Sequence, residues 1–289
     1  MLFFVVVGYL WGTPPTRGPL MMERLQDCLR ALADLFFPRV CLVCGSRLGI
    51  HERHLCLSCA ADVPYTHFWR QPHNPMADRF NAVLERHRGT ERMAYAYAAA
   101  LMYYKGPYRS IPRALKYRDD LSAGRYYGML LGQRLAAAPQ FADVDLVIPV
   151  PLHWTRRWSR GYNQAEILAR AICKAMSFPV IPGQPRNPPE VRTDLLVRSR
   201  RTRSQTRLSV EEKARNVASA FRVPEHSGAK ALASARHILF VDDTFTTGAT
   251  LYACYAALRP HTSARISIAT LAVVEGTPSG VEGSPSAGP

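Results

Sequence analysis

The sequence has no apolar segment long enough to span a lipid bilayer, which requires about 20 predominantly apolar residues. Its most apolar stretch, residues 1–11, is too short for a span and lacks the basic flank of a secretory signal. We therefore expect a cytoplasmic protein with no membrane span. Residues 1–21 are predicted to be a leader or an incorrectly assigned start, because an amphipathic helical pattern begins at Met21 or Met22.

Acidic residues are scarce: 22 Asp and Glu stand against 37 Lys and Arg, and the formal net charge is +15. Such a charge favours anionic partners, either nucleic acid or phosphorylated small molecules. The sequence also lacks the glycine-rich, lysine-containing motif of P-loop nucleoside triphosphatases, and it has no internal repeat. Its 289 residues are enough for one α/β domain and a small accessory module.

Cysteine is sparse outside one short segment. Four of the seven cysteines form two Cys-x-x-Cys pairs, Cys41 with Cys44 and Cys56 with Cys59. Four thiolates at this spacing favour a structural, tetrahedral Zn²⁺ site over a disulfide framework or free thiols. Residues 45–55 between the pairs are fewer than the roughly 15–20 of a usual zinc ribbon, and the role of the site, scaffold or docking, stays open. Apolar helical spacing predicts that the other three cysteines are core residues: Cys28, Cys173 and Cys254.

Changes in composition divide the chain into segments. Residues 22–64 are predicted to contain a helix, over 22–37, and the zinc-ribbon module. Residues 65–90 hold several prolines and little apolar periodicity, and are predicted to be a linker. An α/β domain is predicted over 91–275, and the tail 276–289, rich in Gly, Ser and Pro, is predicted to be disordered.

Within the predicted domain, the apolar pattern alternates between strand and helix spacing. That alternation predicts a mostly parallel sheet with helices on both faces. The predicted strands cover 93–100, 101–104, 145–150, 237–241 and 265–274, and the predicted helices cover 108–117, 163–176, 251–258 and a segment that begins at the capping box 209–212.

The most informative segment follows the apolar run 238–241. Asp242 and Asp243 come at the carboxyl end of this predicted strand, where open α/β sheets bind ligands. The turn Thr244–Thr250 then leads into a helix and offers backbone N–H groups and hydroxyls to a phosphate, which Gly248 lets approach closely. Two carboxylates beside such a cradle suit the vicinal hydroxyls of a ribose. The alternative is a capped strand-to-helix turn with solvated acids, which does not require so restrictive a pattern.

Two further segments are rich in arginine. One follows the predicted strand 145–150 and contains Arg156, Arg157 and Arg160, which would form a cationic rim at the same sheet edge. The alternative is an exposed basic helix start without a ligand. The other segment, 198–207, is predicted to be a loop whose like charges resist ordering until an anion binds, as a lid requires. The alternative for this loop is a disordered nucleic-acid-binding arm.

The run from Ile238 to Thr250 resembles the signature of type I phosphoribosyltransferases, which bind phosphoribosyl pyrophosphate. Over about residues 22–274, the chain also resembles the ComF/GntX family of competence-associated phosphoribosyltransferases with an N-terminal zinc ribbon. This closer resemblance rests on the paired cysteines, on Val150–Ala165 (VPLHWTRRWSRGYNQA), and on Arg203–Ser209 together with Arg215, Asn216 and Val217.

The resemblance implies a type I phosphoribosyltransferase-like fold and a role for each polar segment. Lys116 stands at the position of a family Lys-Tyr pair, with an ordinary solvated lysine as the alternative. The roles of Arg215 and Asn216 stay open. The implied sites are ribose and phosphate binding by Asp242, Asp243, Thr244, Thr246, Thr247, Gly248, Ala249 and Thr250; pyrophosphate binding by Arg156, Arg157 and Arg160; and a flexible lid with Arg198, Arg200, Arg201, Arg203, Gln205 and Arg207.

The function that the resemblance implies is phosphoribosyl transfer from phosphoribosyl pyrophosphate with Mg²⁺, linked to competence and DNA uptake. The alternative is a non-catalytic nucleotide sensor, or a single-stranded-DNA-binding partner of the uptake machinery that works with competence helicases or DNA-processing proteins. Only the resemblance supports the link to competence, and no residue of the sequence identifies the acceptor.

Overall fold

The computed structural model describes residues 38–87, 94–117, 120–153, 155, 158, 160–178, 187–199, 220–225 and 228–276. The chain forms two compact units, one ending at Asp62 and the other beginning at Val63. The predicted leader, the predicted helix 22–37 and nearly all of the predicted tail lie outside the described residues, as does most of the helix predicted to begin at 209–212.

The described part of the first unit, residues 38–62, is a short loop structure held by backbone hydrogen bonds. An isolated antiparallel bridge joins Val40 to Arg47. Helix α1, Leu57–Ala61, begins directly after Cys56, the first cysteine of the second pair. The Glu52 carboxylate accepts a hydrogen bond of 2.6 Å from the backbone N–H of Leu57, which ties the loop to the start of the helix.

A five-stranded parallel sheet forms the centre of the second unit. Its strands are β1 (Ala98–Tyr103), β2 (Leu146–Pro149), β3 (Glu190–Val191), β6 (His237–Phe245) and β7 (Arg265–Val273). They lie in the order β1-β7-β6-β2-β3, and every neighbouring pair is parallel. A separate antiparallel pair is formed by β4 (Val197–Arg198) and β5 (Phe221–Arg222).

Helices cover both faces of this sheet, so the predicted α/β fold class is confirmed. Ile238 and Phe240 of β6 share a buried cluster with Phe80 and Leu251 from helices on one face. The alternate residue Leu239 is also fully buried and points to the opposite face. None of the helices in the described part of the chain combines the length and apolarity needed to cross a membrane. The helices are α2 (Pro75–Arg86), α3 (Ser110–Tyr117), α4 (Leu121–Ala136), α5 (Gln164–Met176), α6 (Ala229–Ser234) and α7 (Ala249–Leu258).

Helices α4 and α5 pack unusually close together. A Cβ placed on Gly132 of α4 would lie 2.6 Å from the Ile172 carbonyl oxygen and 2.7 Å from the Ala175 Cβ, so only glycine fits there. Glycine lowers intrinsic helix propensity by about 1 kcal/mol relative to alanine. Local helix propensity therefore did not predict α4, because the glycines of this helix serve a packing contact with α5.

Helix α2 occupies part of the segment expected to be a linker. The Asn74 side chain accepts hydrogen bonds from the backbone N–H groups of Met76 and Ala77, and Pro75 takes the first helical position. Phe80 of this helix is fully buried. The prolines counted as linker signals include one that starts a helix, where its missing N–H costs nothing.

Strand β6 is longer than the predicted 237–241. Its pairing with β7 continues through Asp242 and Thr244 to Phe245, because β7 supplies partners as far as Val273. The two acids therefore lie near the carboxyl end of a paired strand and not in the loop beyond it.

A Ser-His-Asp cluster, in which the His and the Ser are buried and Asp143 is exposed, lies at the opposite end of β6. His237 Nδ1 is 2.8 Å from Asp143 Oδ1, and His237 Nε2 is 2.8 Å from Ser267 Oγ. The arrangement resembles a hydrolase triad, but His237 and Ser267 both have 0% solvent exposure, so no substrate can reach the hydroxyl. Burial lowers the pKa of His237. We assign this cluster a structural role in joining β6, β7 and the loop before β2.

Candidate functional site

A cleft of about 360 Å³ opens at the carboxyl ends of the parallel strands. This is the edge at which open α/β sheets bind ligands. Polar and charged side chains from several elements converge there around a small apolar floor. The lining residues are Tyr104, Lys116, Val150, Pro151, Leu152, Arg160, Asn163, Gln164, Ala165, Arg198, Asp242, Asp243, Thr244, Thr246 and Thr250.

The two predicted acids line the cleft and have different partners. Asp243 Oδ2 lies 2.9 Å from the Nζ of Lys116, which α3 presents at its last turn. Asp242 Oδ1 accepts a hydrogen bond of 2.8 Å from the backbone N–H of Asp243. Burial of Asp242 and the negative charge of Asp243 raise the pKa of Asp242 to about 7, although the charges of Lys116 and Arg198 act in the opposite direction. Asp242 is thus poised to change its protonation near neutral pH.

The predicted phosphate loop forms a tight turn between β6 and α7. Gly248 has a φ of 82°, in the left-handed region, and a Cβ there would lie 3.2 Å from the Phe245 ring, so glycine is required on two grounds. Thr244, Thr246 and Thr250 line the cleft, whereas Thr247, Gly248 and Ala249 lie in the turn without lining it. The hydroxyl oxygen of Thr244 is buried and has no hydrogen-bond partner among the described residues. The cleft therefore contains a polar atom that a ligand could satisfy.

Two of the predicted arginines reach the same cleft. Arg160 lines it, and Arg198, expected in a loop, instead belongs to strand β4, with its guanidinium carbon 5.2 Å from the centre of the Phe221 ring. Their positive charge complements the two acids and favours an anionic ligand. The other predicted pyrophosphate, lid and open-role residues lie outside the described residues: Arg156, Arg157, Arg200, Arg201, Arg203, Gln205, Arg207, Arg215 and Asn216.

A residue that the sequence analysis did not single out supports the phosphate loop from behind. Arg79 of α2 donates one hydrogen bond to the Thr246 carbonyl and another, of 2.7 Å, to the Val274 carbonyl. Its guanidinium carbon lies 5.1 Å from the centre of the Phe245 ring, within range of a cation–π contact. Arg79 thus fixes a loop carbonyl away from the anion site. No local sequence signal links α2 to this loop, 167 residues further along the chain.

The four predicted metal ligands meet in the first unit. The Sγ atoms of Cys41, Cys44, Cys56 and Cys59 all lie within 4.8 Å of one another. Hydrogen bonds with Ser46, whose hydroxyl lies 3.0 Å from the Cys44 sulfur, lower the pKa of Cys44 to about 6, which favours the thiolate that metals bind. The cluster can therefore hold a metal ion such as zinc.

Two of the three cysteines predicted to be core residues can be checked. Cys173 and Cys254 are both buried, with 7% and 0% exposure, so the prediction is confirmed for them. Cys28 lies outside the described residues.

Comparison with known proteins finds two kinds of relative. The chain is 25% identical to competence protein F of Haemophilus influenzae over 222 residues, which cover 75% of this chain and 89% of that protein. It is 30% identical to DNA utilization protein YhgH of Escherichia coli O157:H7 over 107 residues, 37% of this chain and 40% of that protein. The YhgH protein of Salmonella typhimurium is 25% identical over 151 residues, 51% of this chain and 59% of that protein.

The chain thus spans most of the length of competence protein F but less than two thirds of the YhgH proteins that it matches. No protein-family model matches it. The similarity to competence protein F confirms the family resemblance predicted from the sequence.

We predict that Arg79→Met loosens the phosphate loop without unfolding the domain. Hydrogen bonds to a charged group contribute roughly 1.5–3 kcal/mol each, so losing both should favour local opening by about a hundredfold or more. Hydrogen exchange should report this at the backbone amide of Val274, which bonds the Phe245 carbonyl at 2.9 Å beside the loop. Arg86→Met, an exposed change on the same helix, is the matched control and should leave the rate unchanged. Equal exchange in parent and Arg79→Met would remove Arg79 from this role.

Proposed function

We propose that this relative of competence protein F binds phosphoribosyl pyrophosphate in the cleft at the end of β6 and transfers its phosphoribosyl group. One observation supports this proposal above the others: Asp242, Asp243 and three threonines that follow them, Thr244, Thr246 and Thr250, line a single cleft with Lys116, Arg160 and Arg198. Phosphate binders, acids that can accept ribose hydroxyls and cations for a second anionic group are the three components that such a ligand requires.

The chain direction suggests how the ligand lies. The 5-phosphate would be held by the turn at the start of α7, where the positive end of the helix macrodipole adds to the threonine hydroxyls. The ribose hydroxyls would donate to Asp242 and Asp243. The pyrophosphate on C1 would then extend towards Arg160 and the start of α5, which also line the cleft.

The residues present suit displacement of pyrophosphate. Negative charge grows on the leaving group in this reaction, so fixed cations that line the cleft, Arg160 and Arg198, would stabilise the transition state. Mg²⁺, when bound with the substrate, would neutralise further charge on the diphosphate oxygens. Before the ligand binds, Lys116 would relieve the repulsion between the two acids. The ribose hydroxyls and Mg²⁺ would take over this role when they bind.

The names of the relatives support a link to DNA uptake. One is a competence protein and the others are DNA utilization proteins. We infer that this chain acts in the same process, either as a transferase or as a nucleotide sensor that uses the same cleft. The two alternatives differ in one measurable outcome, because only the transferase consumes phosphoribosyl pyrophosphate in the presence of its acceptor.

We further propose that the four cysteines hold one structural Zn²⁺. Sulfurs at about 2.3 Å from a tetrahedral zinc lie roughly 3.8 Å from one another, and the Cys44 and Cys56 sulfurs are 3.7 Å apart. All four protein ligands are present, which is typical of a closed structural site and leaves no open position for catalysis.

We predict that Asp242→Asn combined with Asp243→Asn abolishes binding of phosphoribosyl pyrophosphate while the domain stays folded. An amide keeps the shape of the carboxylate but loses its charge, and a hydrogen bond to a charged group contributes roughly 1.5–3 kcal/mol. Losing two such acceptors should weaken binding by about a hundredfold or more, as titration calorimetry can measure. Gly248→Val should be similarly damaging, because a β-branched side chain resists positive φ and clashes with Phe245.

The control is Asp78→Asn, a single loss of negative charge on α2 outside the cleft lining, which should leave binding unchanged. Parental affinity in the double variant would reject the proposed site. If the parent binds the ligand but consumes none with any acceptor tested, the cleft is a sensor.

The affinity for ribose 5-phosphate is predicted to rise with pH up to about 7. Asp242 has a pKa raised to about 7, and its protonated form cannot accept as a carboxylate. Binding through ribose hydroxyls therefore favours the ionised form and releases a proton, so affinity falls by up to about tenfold for each pH unit below 7. Because the ligand phosphate also titrates, the quantity to plot is the parent affinity divided by that of Asp242→Asn. A ratio that stays flat between about pH 5.5 and 8 would contradict the role of Asp242.

The zinc proposal predicts one Zn²⁺ per chain by elemental analysis. Cys44→Ser with Cys56→Ser should lose the metal, because two of four ligands are gone, whereas Cys173→Ala, a buried cysteine elsewhere, should keep it. Since small metal modules fold with their ion, a chelator should expose residues 38–62 to protease while the strands and helices described in the second unit stay resistant. Zinc retained by the double variant would show that the metal is bound elsewhere.

A further inference from the structure

Two adjacent amide side chains at the start of α5 are both buried, but only one has a structural task. Asn163 is 8% exposed, and its Nδ2 donates to the Val150 carbonyl at 3.0 Å while its Oδ1 accepts from Ala165 N at 3.1 Å. Gln164 is 2% exposed and lines the cleft, yet its Nε2 has no hydrogen-bond partner among the described residues. A buried donor left unpaired costs stability, so it calls for an explanation outside the fold itself.

Hydrogen bonds place this amide beside the acid pair. Val150, which holds Asn163, donates its backbone N–H to the Val241 carbonyl at 2.8 Å. Val241 immediately precedes Asp242 on β6, so the start of α5 is tied to the residue next to the acids. Gln164 therefore lies near the acids, and it lines the same cleft as they do, where the ribose hydroxyls are proposed to bind.

We propose that Gln164 donates a hydrogen bond to the 2-hydroxyl of the bound ribose and so selects a ribose over a deoxyribose ligand. This inference rests on the proposed function. A hydroxyl that donates its hydrogen to a carboxylate still has lone pairs to accept from an N–H. Asp242 and Asp243 are acceptors when ionised, and the Lys116 cation is engaged by Asp243. Gln164 supplies the neutral donor that completes recognition of the hydroxyl.

The choice of the 2-hydroxyl follows from the orientation of the ligand. With the 5-phosphate at the turn before α7, C1 and its neighbour C2 point towards the start of α5, where Gln164 lies. A deoxyribose would leave the Gln164 donor and one acid lone pair unsatisfied in a buried place. Sites built to bond a hydroxyl reject the analogue that lacks it for this reason.

The test compares ribose 5-phosphate with 2-deoxyribose 5-phosphate by titration calorimetry on the full chain. The parent should prefer ribose 5-phosphate. Gln164→Met, which keeps length and volume but has no donor, should bind ribose 5-phosphate about tenfold more weakly, the loss expected for one hydrogen bond. Its affinity for the deoxy sugar should stay within about twofold of the parent, so the preference falls by the same factor. Gln164→Glu, a second variant of the same shape, should lose the preference as well.

Thermal unfolding without ligand separates this role from a structural one. Replacing an unsatisfied buried donor by an apolar side chain should leave the melting temperature unchanged or raise it, so Gln164→Met is expected to be at least as stable as the parent. Asn163→Leu, the neighbouring amide with two structural hydrogen bonds, is the matched control and should melt at a lower temperature.

Each outcome bears on a separate claim. Unchanged sugar preference in Gln164→Met, or a destabilised protein, would overturn the role of Gln164 while leaving the cleft intact as a ribose phosphate site. If Gln164→Met instead weakens the binding of inorganic pyrophosphate, the Gln164 amide contacts the leaving group, and the proposal is also overturned. Failure of the parent to bind either sugar phosphate would instead reject the proposed function itself, and this inference with it.

Discussion

The cost of burying Asp242 beside a second carboxylate, that of Asp243, is the constraint around which the rest of the cleft is arranged. Two neighbouring carboxylates at a buried strand end cannot both be ionised cheaply. The chain relieves the cost with the Lys116 ion pair of 2.9 Å and the backbone N–H of Asp243, and part of it persists in the raised pKa of Asp242, about 7. Helix α3 is placed at this edge of the sheet, and its last turn delivers the ammonium group.

Local patterns in the sequence predicted the core of the fold. The elements that the sequence did not predict depend on long-range contacts. The apolar runs before Asp242 and in β2 and β7 gave the parallel sheet, because buried strands have a distinctive composition. Helix α4 was not predicted, since Gly132 is explained only by its contact with α5. The paired cysteines gave the metal-binding cluster from spacing alone.

The candidate site was predictable to the same degree. The acids and threonines form one contiguous run of sequence, and the structure places most of them around one cleft. The partners that tune them come from distant segments: Lys116 from α3, Arg79 from α2 and Gln164 from α5. No periodicity or spacing relates these residues to the run. The family resemblance had pointed to Lys116, whereas Arg79 and Gln164 are identified only by the folded arrangement. The binding roles of all these side chains stay predictions.

The order of strands in the sheet has a consequence for how the chain can fold during synthesis. Strand β1, residues 98–103, is hydrogen-bonded in the sheet to β7, residues 265–273, the last strand of the described chain. An emerging polypeptide therefore leaves β1, an apolar strand, without its sheet partner for most of the chain's synthesis, until β7 appears. Such delayed, non-local pairing slows folding and leaves intermediates prone to aggregation. The nascent second unit should accordingly depend on chaperones until β7 is made. The four cysteines that could hold a metal ion all lie within residues 41–59, so that cluster can form as soon as this segment leaves the ribosome.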